Sequence, residues 1–590
     1  MPRLSLSMIG NILVARTSDR EAGLVPKAAG FRWHGRDCRG CKACAAKVPP
    51  FVWWTDDPAR AARLLDAADA VAPEAKAFCD SAHATMVASR ATSADVDVPS
   101  PPGLSYLPFQ RAGIAYVLNA LEAGKRGVLI ADEMGLGKTV QAIGVLNAKL
   151  AAMTDEETEK FRVLVICPAS LRQNWKRELE RWLVRPLRVE ILDKSLPARA
   201  QVVVSNFERV RRPEVKDTLS FPWDVLIVDE AHRLKDPKSQ QTKAILGCTK
   251  TKKREVVVGL ESFAKTLLFL TGTPILARPV EAQPLLQTLD PSFAGFGFLK
   301  RYCNAHQEYV GRTLVWNFSG ASHLDELQAR LRASIMVRRL KSEVLKELPP
   351  KRREIIVLDS DEVKKLIADE NRGIAKYEDT IAEVETEARL ALADGNLDAY
   401  HAAAAKLEKI SSVVFTEIAS CRKALAVAKV PLVLEHCDVA LEADGKILVF
   451  THHHEVTDAI AQHYAGRCIV IDGRTPMADR QALVDRFQTD ATIRVAVLSI
   501  AAAGVGLTLT AAQHVVFAEL DWTPANVTQA EDRAHRIGQM SSVLVQHLVF
   551  NGSLDARMVE LLIQKQNIFD RMLDASTEVK LTEMSNKTKA

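Results

Sequence analysis

Short apolar runs rich in β-branched residues, alternating with helical stretches, constrain this chain most. They lie at Gly127 to Ala131, Val163 to Cys167, Val202 to Val204, Val225 to Val228 and Leu267 to Leu270, then much later at Lys446 to Phe450, Cys468 to Ile471, Arg494 to Leu498 and His514 to Phe517. Strands that read as continuous apolar runs are covered on both faces, as in a parallel sheet between two layers of helices. The expected fold class is α/β with two such lobes, and two lobes leave a cleft. Residues 280 to 440 are mostly helical in pattern, with a turn at Asp394-Gly395-Asn396 between Ala/Glu/Lys-rich helices. Residues 1 to 97 read as a small α+β module: a first strand, a short helix, aromatic strands at Phe31–Trp33 and Phe51–Trp54, and an alanine-rich helix from Asp57. Ser100-Pro-Pro-Gly103 marks its end. The expected domains are 1–97, a first lobe at 104–290, helical insertions and a linker at 291–440, and a second lobe at 441–580.

A chain of 590 residues is too long for one core, and with 47% hydrophobic and 26% charged residues it has no reason to be disordered. Lys and Arg exceed Asp and Glu by 78 − 73 = 5, which permits nucleic acid binding without arguing for it. The ten cysteines show no even spacing, so a disulfide framework is not expected and a reducing compartment is. No apolar run approaches the ~18 residues of a membrane span. The start, MPRLSLSMIGNILVARTSDREAG, is interrupted by Ser5, Ser7, Gly10 and Asn11 and reads as a strand rather than a secretion signal.

Chemistry-bearing segments follow the strands. Asp132-Glu-Met-Gly135-Leu136-Gly137-Lys138-Thr139 comes after the run Val128 to Ala131 and opens a helical stretch. The two glycines let backbone N–H groups curl around phosphate oxygens at a helix N-terminus. Lys138 is then expected to reach the β- and γ-phosphates, and the Thr139 hydroxyl to ligate Mg²⁺. Asp229-Glu230 ends the run Val225 to Val228, placing two carboxylates at the carboxyl edge of a sheet. Asp229 is suited to Mg²⁺ and Glu230 to activating water as a general base. Thr271-Gly-Thr-Pro274 follows a strand and could relay contacts between the lobes, though alone it is a plain turn signal. In the second lobe, Gly504 and Gly506 sit where backbone could approach a nucleotide or a nucleic acid strand, or make an ordinary strand-to-helix turn.

Residues 529 to 539 read Gln-Ala-Glu-Asp-Arg-Ala-His-Arg-Ile-Gly-Gln. On a helix, Gln529, Arg533 and Arg536 share a face at i, i+4, i+7 and present two guanidinium groups to one target, here the γ-phosphate. These residues describe an ATPase whose site is divided between two lobes and whose hydrolysis is coupled to closure. Separately, His34, Cys38, Cys41 and Cys44 are spaced as a Zn²⁺ knuckle, or, with Cys79, as an iron–sulfur site; reduced structural thiols are the alternative. His452-His-His454 looks metal-like, but follows a strand, where structural or DNA-proximal roles are expected instead.

In this order, the segments from about Pro108 to Gln539 resemble the Swi/Snf-type branch of the superfamily-two helicases, whose members hydrolyse ATP to translocate on double-stranded DNA. Asp132 in the phosphate loop and the 529–539 segment are specific to that branch. The resemblance implies two tandem RecA-like parallel-sheet lobes with helical insertions, and ATP with Mg²⁺ as ligands. It implies that Gln110 of Pro108-Phe-Gln110-Arg111 reads the adenine, with Arg111 beside it. It further implies phosphate-backbone contacts to DNA from Pro168-Ala-Ser170 to Asn174, Ser205-Asn206 and Gly504 to Thr508. Lys252-Lys-Arg254, Arg338-Arg339 and Lys351-Arg-Arg353 are further candidates; a solvated charged face is the alternative for each basic cluster. Lys235-Asp236 stands where the family usually has Lys-Asn.

Leu448 to His453, Trp316 to Gly320 and Val337 to Leu345 are similar to the annealing-helicase (HARP-like) subgroup, whose members rewind DNA and remodel forks. The expectations are a compact bacterial or phage member, monomeric, cytoplasmic and nucleoid-associated, that anneals or remodels duplex, forked or branched DNA. A motor that displaces a protein such as RNA polymerase from DNA is the second reading, and a non-catalytic DNA-binding scaffold the third.

Overall fold

The computed structural model of the chain describes residues 4–9, 12–18, 24–28, 31–34, 47–48, 51–55, 67–192, 199–250, 255–272, 278–310, 313–348, 351–372, 384, 397–443, 445–477, 479–503, 507–521, 524–539 and 541–559. Cys38, Cys41, Cys44, the start of the expected helix at Asp57, Lys252 to Arg254, Thr273-Pro274, Asp394 to Asn396, Gly504 and Gly506 lie outside the described residues.

The N-terminal module is a five-stranded sheet of β1 (Leu4–Ile9), β2 (Ile12–Thr17), β3 (Arg32–His34), β4 (Val52–Thr55) and β5 (Ala70–Val71), in the order β3-β4-β2-β1-β5. The helix Pro73–Ala88 buries Ala75 and Cys79 against Leu4, Leu6 and Leu13 of this sheet. Ser89, at the end of that helix, donates to the Met336 carbonyl at 2.7 Å, which fastens the module to the first lobe.

The first lobe is built on β6 (Gly127–Ile130), β7 (Val163–Cys167), β8 (Val189–Ile191), β9 (Val202–Asn206) and β10 (Trp223–Asp229). A small hairpin of β11 (Cys248–Lys250) and β12 (Glu255–Val257) precedes β13 (Ala264–Leu270). A second hairpin, β14 (His306–Val310) and β15 (Thr313–Asn317), precedes β16 (Met336–Val337). The main sheet is parallel throughout, in the order β16-β6-β13-β10-β7-β9-β8. Its central strands carry unbroken apolar runs because each face has its own core: Leu226 and Val228 point into one, Val225 and Ile227 into the other.

The second lobe is a parallel six-stranded sheet of β17 (Lys351–Leu358), β18 (Ile447–Thr451), β19 (Cys468–Ile471), β20 (Val495–Ser499), β21 (His514–Phe517) and β22 (Val543–Phe550), ordered β17-β22-β21-β18-β20-β19. The helix Leu397–Ala443 covers one face, with Ala426, Val430, Val433, Cys437 and Leu441 packed near Val449, Val497 and Val516. Those five positions are spaced as one helical stripe.

The stretch 291–440, expected to be helical insertions and linker, contributes strands to both sheets. β16 pairs with β6 in the first lobe, and β17 pairs with β22 in the second. A two-residue strand offers no periodicity to read, and β17 begins with Lys-Arg-Arg, which looks like a surface charge run.

Candidate functional site

Gly135 and Gly137 both adopt positive φ, 86° and 77°, and the helix Lys138–Ala151 starts immediately after them. That geometry suits glycine, and at Gly137 a Cβ would also come within 2.5 Å of Gln110 Nε2. Gln110 itself is buried behind the loop, accepting from Leu107 N at 3.0 Å and donating to the Leu136 carbonyl at 3.2 Å. Lys138 Nζ donates to the Asp132 carbonyl at 2.9 Å. Burial lowers its pKa, and Glu230, Asp132 and Asp229 oppose that shift.

Asp229 is the last residue of β10, and its Oδ2 accepts from Trp175 Nε1 at 2.9 Å. Burial, then the neighbouring Glu230 charge, push its carboxyl up to about 7. Glu230 is raised too, chiefly by burial, and is held at φ 51°, a left-handed conformation that costs an L-residue backbone strain. Its Oε2 is buried without a hydrogen bond, 3.3 Å from His232 Nδ1. His232 is held neutral by burial, its pKa lowered to about 3, and its Nδ1 lies 3.0 Å from Thr271 Oγ1. Gly272, next in that segment, packs so closely that a Cβ would meet Met134 Cγ at 2.5 Å and Lys138 Nζ at 3.3 Å.

From the second lobe come Gln529, Arg533 and Arg536, which line one cleft of about 110 Å³ together with Gly135, Gly137, Lys138, Thr139, Asp229 and Glu230. The expected helix under them is not continuous: it spans Pro524–Glu531, and Arg533 and Arg536 reach the cleft from the turns that follow. Arg533 is buried with its Nε unpartnered, and burial followed by the Arg536 charge lowers its pKa to about 10, so it stays cationic at neutral pH. Arg536 donates through Nη1 to the Leu507 carbonyl at 3.1 Å. The cleft thus has glycine N–H groups and a lysine on one wall, two carboxylates at its base and two guanidinium groups opposite. That donor set fits a polyphosphate with a divalent cation.

Other expected residues fall elsewhere. Asp132 is fully buried behind the loop, where its carboxylate accepts from Arg339 N at 2.9 Å, Arg339 Nε at 3.0 Å and Gln141 Nε2 at 2.8 Å. It therefore braces the loop and does not line the cleft. Leu136 is likewise buried, and Arg111 is exposed. Arg338 and Arg339, expected as DNA contacts, are interior: Arg338 donates to the Ala131 carbonyl at 2.7 Å and the Gly272 carbonyl at 3.1 Å. Lys351 and Arg353 are engaged by Glu531 and Asp532, with Lys351 Nζ 2.9 Å from both acids. Ser205 and Asn206 are also buried in this arrangement.

A second cavity of about 500 Å³ adjoins the first between the lobes, lined by Ala169 to Asn174 and Arg177 on one side and Met477, Arg480, Gln481 and Leu507 on the other. The helix Arg172–Trp182 serves both. It buries Trp175, Leu179 and Trp182 at i, i+4, i+7, Trp175 reaching Asp229, while Leu171 and Asn174 line both cavities. Arg177 reaches across to Gln481 at 3.3 Å.

In the N-terminal module His34 is buried, and among the described residues no cluster of three or more His, Cys, Asp or Glu is arranged for a metal. Around the 452–454 histidines, Glu519 accepts from the backbone N–H groups of His452 and His453 at 2.7 and 3.0 Å, which supports a structural role. Lys341, which motif reading did not single out as a site residue, joins the lobes: its Nζ lies 2.9 Å from Asp532 Oδ1 and donates to the His535 carbonyl at 2.7 Å.

Residues 109–395 match the SNF2-related domain, and residues 428–538 match the helicase conserved C-terminal domain. The DNA annealing helicase and endonuclease ZRANB3 of Bos taurus is 36% identical over 501 residues, covering 82% of this chain and 42% of that protein. The SWI/SNF-related matrix-associated actin-dependent regulator of chromatin subfamily A-like protein 1 homolog of Caenorhabditis elegans is 34% identical over 495 residues, covering 82% of this chain and 64% of that protein. The chain spans less than half the length of the first relative and under two thirds of the second. Among solved structures, the Sulfolobus solfataricus SWI2/SNF2 ATPase core in complex with dsDNA aligns at TM-score 0.37 and 21% identity, covering 82% of this chain and 96% of that one.

Proposed function

Since the chain belongs to the SNF2-related, Swi/Snf-type family of superfamily-two ATPases, we propose that it is a DNA-dependent ATPase that couples hydrolysis to movement along duplex DNA and promotes annealing or fork remodelling. The observation that carries this reading is the shared cleft: Lys138, Thr139, Asp229 and Glu230 from one lobe meet Gln529, Arg533 and Arg536 from the other. Mg²⁺, when bound with ATP, adds the divalent charge that polarises the terminal phosphate. Thr139 and Asp229 hold that cation, and Lys138 with the glycine N–H groups holds the phosphates. Glu230 takes a proton from the attacking water, and Arg533 and Arg536 meet the charge that develops on the transferred group. Because the two halves of this charge set belong to different lobes, hydrolysis requires closure and product release permits opening. The adjoining cavity, with Arg172, Arg177 and Arg480 on its walls, is the proposed path of a DNA backbone.

The test is ATP turnover without DNA and with single-stranded, duplex and forked DNA, for the wild type and Lys138→Ala. Stimulation by duplex or fork, abolished by the substitution, is expected. A folded wild type that binds ATP and responds to no DNA would sink the proposal. Protein displacement shares the same cleft and is separated by rewinding of a protein-free bubble, which a displacement motor leaves open.

The raised Asp229 carboxyl gives a pH prediction. It faces Glu230, Trp175 and Lys138, and burial raises both carboxyls above their ordinary range in the unliganded protein. A carboxyl with a raised folded pKa contributes stability that is present at low pH and lost as pH rises through about 7, so metal binding must displace that proton. The Mg²⁺ concentration for half-maximal turnover is expected to rise about tenfold per pH unit below 7. A half-saturation that stays flat between pH 6 and 8 would remove Asp229 as the metal ligand. Zinc at His34, Cys38, Cys41 and Cys44 is proposed on their spacing alone, and a cytoplasmic, nucleoid-associated location follows only if the source lacks a nucleus.

A further inference from the structure

The connection between the lobes passes directly along the phosphate loop. Leu129 N donates to the Ile335 carbonyl at 2.7 Å, Ala131 N to Val337 at 2.8 Å and Glu133 N to Arg339 at 3.0 Å, so residues 335 to 339 are zipped to β6 and to the start of the loop. Two residues further on, Lys341 N donates to Glu133 Oε2 at 2.7 Å. Its side chain then leaves the first lobe and ends between Asp532 Oδ1, at 2.9 Å, and the His535 carbonyl, at 2.7 Å. These two groups flank Arg533. Glu133 Oε1 lies at 3.9 Å, and Gly135 packs so that a Cβ there would meet both Lys341 Cε and Arg536 Cγ at 3.3 Å.

We propose that Lys341 is a positioning residue that registers the Arg533 turn against the phosphate loop, so that the arginines arrive only when the lobes are closed. The proposal rests on the ATPase reading above. Its physical basis is asymmetry. Asp532 is also paired to Lys351, which belongs to its own lobe, and so keeps a cation when the lobes part. Among the described residues Lys341 keeps on its own side only Glu133 Oε1, at 3.9 Å, against the 2.9 Å of the Lys351–Asp532 pair. A buried ammonium with 3% of its side chain exposed needs both the carboxylate and the carbonyl, so its full set of partners exists in one lobe arrangement. Lys341 touches neither the phosphates nor the water in this scheme, and acts through Asp532 and His535 on Arg533, which lies between them in the chain.

The expected signature separates positioning from binding. In the full chain with duplex DNA, Lys341→Met is expected to lower kcat about tenfold or more while ATP affinity, read with a fluorescent ATP analogue, changes less than about twofold. Asp532→Asn, which also weakens the pair with Lys351, should lose at least as much, and the double variant should be no worse than the poorer single, because the Lys341–Asp532 contact is common to both. Lys341→Gln keeps a donor for the His535 carbonyl and serves as the second variant should Lys341→Met not fold; an intermediate loss is expected. Unchanged kcat, affinity falling in step with kcat, or losses that multiply in the double variant would overturn the assignment. An inactive wild type would instead overturn the ATPase reading, so the two failures are distinguishable.

Discussion

Arg533→Ala is expected to lower DNA-stimulated ATP turnover by about a thousandfold or more, with ATP affinity nearly unchanged. Arg533 is buried, stays charged, has an unpartnered Nε and faces Glu230 across the cleft. A guanidinium preorganised in a dry site stabilises developing charge at no reorganisation cost. Arg536 gives part of its donor set to the Leu507 carbonyl, so Arg536→Ala should cost less. The measurement is kcat under saturating ATP and duplex DNA beside equilibrium binding of a nucleotide analogue. A loss of under tenfold, or a loss confined to affinity, would show that Arg533 does not meet the transferred phosphoryl group.

Glu230→Gln is expected to reduce hydrolysis by about two to four orders of magnitude while nucleotide binding is retained. The substitution keeps shape and removes a buried carboxylate whose pKa is raised, chiefly by burial. Removing it also relieves Asp229, whose raised carboxyl owes its second contribution to the Glu230 charge. The variant should therefore be inactive and yet more resistant to unfolding at pH 8 than the wild type, since the ionised pair is what the fold tolerates poorly. Loss of activity together with loss of stability would point to a supporting role instead. Turnover and thermal unfolding at pH 6 and pH 8 decide it.

The two-lobe fold was legible because runs such as Val225 to Val228 and Ile447 to Phe450 are buried on both faces, and that leaves a continuous apolar signature. The phosphate loop and Asp229-Glu230 were legible because each follows such a run. Arg339 was not. Its partner Asp132 lies 207 residues away, and a run of two arginines looks the same whether it faces water or a buried carboxylate. The same blindness hid Lys351, which is withdrawn from solvent onto Glu531, and Arg353, which pairs with the same acid from a more exposed position. Helical spacing grouped Gln529, Arg533 and Arg536, and the three do line one cleft, though not from one helix. The helix stops at Glu531, and tertiary packing, including Leu509 N donating to the Arg533 carbonyl at 2.9 Å, brings the arginines to the same place from a turn.

The helix Arg172–Trp182 touches the second cavity through Arg172 and Arg177 and holds Asp229 through Trp175. On the proposed reading, one rigid rod reports a strand to the metal ligand and the metal ligand to the strand. Binding free energies are reciprocal: whatever factor the strand applies to nucleotide affinity, the nucleotide applies to grip on the strand. A stepping motor must alternate tight and loose grip, so the fuel gauge and the clutch are here the same thermodynamic quantity, read from opposite ends of Trp175.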